Sequence, residues 1–186
     1  MATRSEQARA VEKRSAILDA ATNLLLSEGL KGVTHRQVAS LAGVPVGSIG
    51  YYYSTRDKLV ATCFERLVEG RRAAFERAVA DGSDLTDPVH LAEVTVDVVA
   101  CGLTGRARAV ISAFIEAQRE NSEVGEAMER DLVELKEMIA ELLQRAGVEQ
   151  LNASRVLQIV VGTAVTEHHH NAPVAAVADL LRLAGT

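Results

Sequence analysis

Apolar residues return every three or four positions along almost the whole chain, the period of helices with one buried face. Ile17, Ala20, Ala21, Leu24 and Leu25 share one side of a first helix. Gly29 then stands where a left-handed C-cap is expected, with Leu30 placed for the accompanying apolar contact. Thr34 and Gln37 have capping-box spacing and start a short second helix that ends at Gly43. Pro45 opens a third, its φ preset by the ring. Ser54 and Asp57 repeat the capping-box spacing and open a long fourth helix, whose apolar face runs Leu59, Val60, Cys63, Phe64, Leu67, Val68, Phe75.

Residues 81–88, DGSDLTDP, read as a loop, with Asp87 able to cap a helix that has Pro88 in its first turn. Further helices are predicted over 88–103, 106–120, 123–146, 152–168 and 172–184. Met128, Leu132, Leu135, Ile139 and Leu142 make one stripe, with charged residues opposite. Segment 152–168 is apolar nearly all round. Its Val and Ile content suits a strand, but its length and the lack of a strand partner favour a helix buried on several sides. The predicted class is all-α: a helix-turn-helix unit, residues 1–55, joined through the long fourth helix to a second helical unit, residues 56–186.

Composition narrows the picture. The chain has 186 residues, of which 48% are hydrophobic, enough for a core without metals or disulfides. Cys63 and Cys101 both lie in apolar stretches, as buried small hydrophobes or, alternatively, a thiol sensor. No run of apolar residues is long enough to span a membrane, and the charged N-terminus is not a secretory signal, so a cytoplasmic protein is expected. Net charge is −5, which taken whole argues against a nucleic-acid partner. It is unevenly spread: residues 1–60 carry +3 and residues 61–186 carry −8. One end tolerates phosphates and the other repels them.

The stretch THRQVASLAGVPVGSIGYYYSTRDKL, residues 34–59, has the helix, glycine turn and second helix of a helix-turn-helix. Val38, Leu41, Val44 and Ile49 are expected inside, holding the two helices at a fixed angle. Thr34, Arg36, Val38, Ala39, Ala42, Gly43, Val44, Gly47, Ile49, Tyr52, Thr55, Asp57 and Leu59 match the motif of the TetR family, which residues 10–62 resemble. Arg56 stands for the family lysine and Tyr53 for its phenylalanine. Pro45 and Gly50 depart from the motif, Gly50 replacing a tyrosine often placed near the phosphate backbone.

The resemblance implies DNA contacts from Thr34, His35, Arg36, Pro45, Val46, Gly47, Ser48, Tyr51, Tyr52 and Arg56. Their chemistry agrees. Thr34 can cap its helix or reach a phosphate, and tyrosine hydroxyls suit phosphates. Gly47 and Ser48 allow close approach to a groove, and Arg56 sits in a helix first turn that can address a phosphate. Pro45, Val46 and Ser48 offer a valine for thymine methyls and a hydroxyl for several bases, so DNA shape is expected to contribute to recognition. Thr34 as a pure cap and His35 and Arg36 as solvated positions are the plainer alternatives. Tyr53 is expected in the core.

The resemblance also implies a homodimer on a palindromic operator and a small-molecule effector, repression being the commoner mode. One short recognition helix makes few contacts, which independently favours a two-fold dimer. Leu135, Val156, Ile159, Val160, Gly162 and Thr163 resemble a helix–helix seam, between subunits or within one. For the effector, Phe64, Thr95, Cys101, Ser112, Phe114 and Gln118 are the candidate pocket residues. Residues 61–186 hold no Trp or Tyr, which argues against an aromatic cage and for an apolar or weakly polar ligand.

His168, His169 and His170 suggest a metal. Adjacent helical residues diverge by about 100°, however, and a polar helix terminus before Asn171 is the preferred reading, so no metal or other cofactor is expected. No nucleophile motif, phosphate loop or carboxylate–histidine cluster suggests an enzyme. A helix-turn-helix regulator without a small ligand is the remaining alternative.

Overall fold

A computed structural model describes residues 4–80, 84–119, 123–148, 150–167 and 169–184. Residues 81–83 of the predicted loop and His168 lie outside the described residues. Among those described, the chain forms nine α-helices and two short 3-10 turns, with no strand. In order these are α1 (Arg4–Glu28), α2 (His35–Ala42), α3 (Val46–Tyr52), α4 (Arg56–Ala80), α5 (Pro88–Val99), α6 (Ala107–Gln118), α7 (Glu123–Arg145), α8 (Ala153–Thr166) and α9 (Ala172–Ala184). The contacts divide the chain into two units, Met1–Arg66 and Leu67–Thr186. The division falls inside α4, not at its start.

The first unit packs α1 on α2 and α2 on α3. Ile17, Ala21, Leu25, Val33, Val38, Ile49, Leu59 and Cys63 are buried in it. Gly43 ends α2 in the left-handed region at φ 65°, the turn that lets α3 depart at a new angle. Gly29 differs from expectation. Its φ of 72° and ψ of −172° lie outside the left-handed helical region, in a conformation open essentially to glycine alone. It leads into the 3-10 turn Leu30–Gly32 instead of closing α1 with a left-handed cap.

The capping boxes are also revised. Thr34 accepts from Gln37 N at 3.2 Å, but the Gln37 amide oxygen accepts from the Thr34 hydroxyl at 2.7 Å. The Thr34 N–H goes to Gly32 O. At α4 the cap is Thr55, whose hydroxyl accepts from Lys58 N at 3.2 Å; Ser54 stands one residue too early. Pro45 is the residue before α3, with ψ 141°, not its first helical position. Leu41, expected inside, is 57% exposed. Val38, Ala39 and Ala42 define the inward arc of α2, and Leu41 lies beyond its edge.

The second unit has one continuous core. Leu91, Val96, Val98, Ile111, Ile139, Leu142, Val156, Val160 and Val177 are among its buried members. Asp87 caps α5, accepting from Val89 N and His90 N. The α7 stripe points inward as predicted, with Leu132 half-buried. Helix α8 is less enclosed than expected: Val156, Leu157, Val160 and Ala164 are buried, while Gln158, Gly162, Val165 and Thr166 face outward.

Candidate nucleic-acid interface

Helix α3 shows its polar and small side to the exterior. Only Ile49 is fully buried on it. Val46 is 51% exposed and Tyr51 84%; Pro45, Gly47 and Gly50 are exposed, and Ser48 and Tyr52 are half-buried. A methyl group added at Gly47 or Gly50 would meet nothing within 4 Å. Neither glycine is therefore required by packing inside the chain, and both leave the helix backbone open to an outside partner. The Tyr51 and Tyr52 rings meet edge to face, with centroids 5.1 Å apart. Tyr53 is buried, with its hydroxyl unpartnered among the described residues.

Around α3 the structure separates exposed groups from engaged ones. Arg36 is exposed and His35 half-buried, with His35 Nε2 buried and unpartnered. Thr34 is half-buried and engaged with Gln37, whose amide nitrogen in turn donates to Glu28 at 3.0 Å. Arg56 is more heavily committed. Its Nε donates to Val33 O at 2.9 Å, its Nη2 donates to Leu30 O, and its Nη1 lies 3.4 Å from Asp57. Those ties hold the 3-10 turn and the approach to α2 against the first turn of α4. Sequence reasoning missed this role because Leu30 and Val33 lie more than twenty positions away and contribute only main-chain oxygens.

In the second unit the six candidate pocket residues do not gather. Thr95 is buried, its hydroxyl donating to Leu91 O. Ser112 is half-buried and Gln118 exposed. Phe64 belongs to the first unit and is buried there. A groove of about 1090 Å³ is lined instead by Arg77, His90, Glu93, Asp97, Asp179 and Arg182 over an apolar floor of Val94, Val174 and Ala178. None of the six lines it. The six are polar or aromatic positions within apolar helices, which the packing turns towards the core or away from the groove.

Cys101 and Phe114 do share one neighbourhood, that of Arg71. The Arg71 guanidinium lies 4.7 Å from the centre of the Phe114 ring, and its charge acts on the Cys101 thiol. Burial pushes both cysteine thiols up to about 11. They stay protonated at neutral pH, as inert buried hydrophobes do.

The dimer-seam residues divide as well. Leu135, Val156 and Val160 are buried in the chain's own core and leave no surface for a partner, a correction to the seam. Ile159 and Thr163 are half-buried, and Gly162 is exposed. Among the described residues no three His, Cys, Asp or Glu side chains gather as metal ligands. Nor is any single described helix long and apolar enough to cross a membrane.

A capped short helix, a left-handed glycine turn and a second short helix with an open outer edge define a helix-turn-helix DNA-binding module. Residues 17–63 match the family of bacterial regulatory proteins described as the tetR family. That match covers the helix-turn-helix segment, about a quarter of the chain, and the family is described as one of regulatory proteins. The chain is 31% identical over 58 residues to the HTH-type transcriptional regulator PksA of Bacillus subtilis, a match covering 31% of this chain and 28% of that relative's length. In fold it is similar to a transcriptional regulator from Saccharomonospora viridis solved with choline (TM-score 0.71, 20% identity, 92% of this chain and 94% of that one). It is also similar to the multidrug binding protein EbrR solved with malachite green (TM-score 0.63, 24% identity, 92% and 96%).

Proposed function

We propose that this protein is a transcriptional repressor that binds a palindromic operator as a homodimer, places α3 in the major groove, and is released by a small molecule held in its second unit. The open outer edge of α3 carries the reading: Val46, Gly47, Ser48 and Gly50 form a low surface with space above both glycines. Arg36, Tyr51 and Tyr52 are the phosphate partners in this reading, and Thr34 and His35 flank them. Arg56 acts mainly by fixing the turn beside α2, because its Nε and Nη2 already donate to main-chain oxygens there. Exposed Gly162 and Val165 on α8 and Leu183 on α9 offer the apolar surface for a partner subunit. The neighbours solved with choline and with malachite green support a small-molecule effector.

The test is selection of duplexes from a randomised pool by the full chain, followed by anisotropy titrations at several salt concentrations. The expected product is a dyad of half-sites about one helical turn apart. Arg36→Ala should weaken binding alike on all sequences and lower the salt slope by about 1. A pool with no enrichment, or enriched sites without dyad symmetry, would sink the reading.

A further inference from the structure

The second unit buries a charged pair that is not among the residues lining the groove. Arg71 of α4 is 3% exposed and Asp131 of α7 is 7% exposed. Arg71 Nη1 donates to Asp131 Oδ2, and Arg71 Nε reaches Val98 O at a long 3.4 Å. The guanidinium faces the Phe114 ring. Asp131 Oδ1 is buried and has no hydrogen-bond partner among the described residues.

Two physical points follow. A buried ion pair contributes little over an apolar pair of equal volume, so stability alone does not account for it. The pairing is also incomplete. Arg71 reaches the carboxylate through one nitrogen, and its stem, anchored on α4, leaves Oδ1 unsatisfied. A free planar cation could donate to both oxygens at once, the stronger bidentate arrangement. A buried carboxylate beside the half-buried ring of Phe114 is the chemistry that recognises an organic cation. Here the chain supplies that cation itself.

We infer that the Arg71 side chain is a tethered plug in an organic-cation site, and that the effector carries an amidinium, guanidinium or similar head that replaces Arg71 between Asp131 and Phe114. This rests on the regulator reading above and gives its effector a chemical class: a cationic head, with an apolar body along the core. Displacing Arg71 removes the ties of α4 to Asp131 on α7 and to Val98 on α5. The neighbouring pair, Arg72 bidentate to Glu134 at 2.6 and 2.7 Å, is exposed and remains. Helix α4 also carries Arg56, which holds the turn beside α2, so a cation bound at Asp131 biases the helix that supports the DNA-binding module.

The probe is benzamidine, titrated by calorimetry and by thermal shift against potassium chloride of equal ionic strength, using the full chain, Arg71→Met and the double variant Arg71→Met/Asp131→Asn. The wild type should bind saturably. Arg71→Met should bind about tenfold tighter or more, because the internal competitor is gone. Folding of Arg71→Met only with benzamidine present supports the proposal equally. The double variant, neutral on both sides, should fold and not bind. On a selected duplex, saturating benzamidine should weaken wild-type binding about tenfold or more.

Absence of saturable binding to the wild type overturns the proposal, as does binding that survives in the double variant. Binding with the expected dependence on Asp131 but no enriched duplex would leave the cation site standing and remove the regulator reading. Enriched duplexes without benzamidine binding would do the reverse.

Discussion

The two units use polar and small residues in opposite ways. In the first, the residues read as functional lie on the outside: Gly47 and Gly50 face open space and Tyr51 is almost wholly exposed. Other polar groups there serve the backbone, Thr34 and Thr55 as caps and Arg56 as a donor to carbonyls. The second unit has an apolar core with a charged pair inside it. The difference is one of coupling to stability. An outer edge can change without unfolding the chain, whereas a buried charge cannot lose its partner without a large loss.

The sharpest test of that contrast is Asp131→Ala, which strands Arg71 without a counter-charge. We expect a loss of about 3–5 kcal/mol by denaturant titration, with Arg71→Met/Asp131→Leu recovering most of it. Glu134→Ala, which breaks the exposed pair beside it, should move stability by under about 1 kcal/mol. Equal losses for Asp131→Ala and Glu134→Ala would erase the contrast.

Next in size, taken thiol by thiol, is an alkaline effect. The folded chain holds Cys63 and Cys101 near 11 against an ordinary 9.0. A raised thiol value means the unfolded chain ionises first, so the stabilisation is full below pH 9 and is lost as pH rises towards 11. Each thiol should account for about 2–3 kcal/mol of that loss. The Cys63→Ala/Cys101→Ala variant should show a correspondingly shallower fall, and an identical slope would show that burial is not what governs these thiols.

Arg56 lies between the two regimes. Arg56→Ala should cost about 1.5–3 kcal/mol by removing charge-assisted bonds to Leu30 and Val33, and should weaken DNA binding with it. Arg56→Lys keeps the charge but lacks the planar fork. If lysine restores both stability and affinity, the arginine is a phosphate contact and not a clamp. The smallest expected stability effect is at the outer edge. Gly50→Ala should raise stability by about 0.5–1 kcal/mol, since glycine is poor inside a helix. The same methyl group should lower affinity for a selected duplex if the backbone approaches the groove there. Unchanged affinity would move the reading edge away from Gly50.

Periodicity and caps alone determined the all-helical class and nearly every helix position. They also set the inward faces of α1, α4 and α7, because helix formation depends on neighbours three and four residues apart. The helix-turn-helix was readable for the same reason: its turn, its caps and its open glycines all lie within one short stretch. What escaped were contacts between distant positions. Arg56 meeting Leu30 and Val33, Arg71 meeting Asp131 and Phe114, and the burial of Val156 and Val160 in the chain's own core depend on how helices pack. Local pattern records that a residue is polar or apolar. Only the tertiary structure decides which charge a buried arginine meets, and which apolar face is left for a partner.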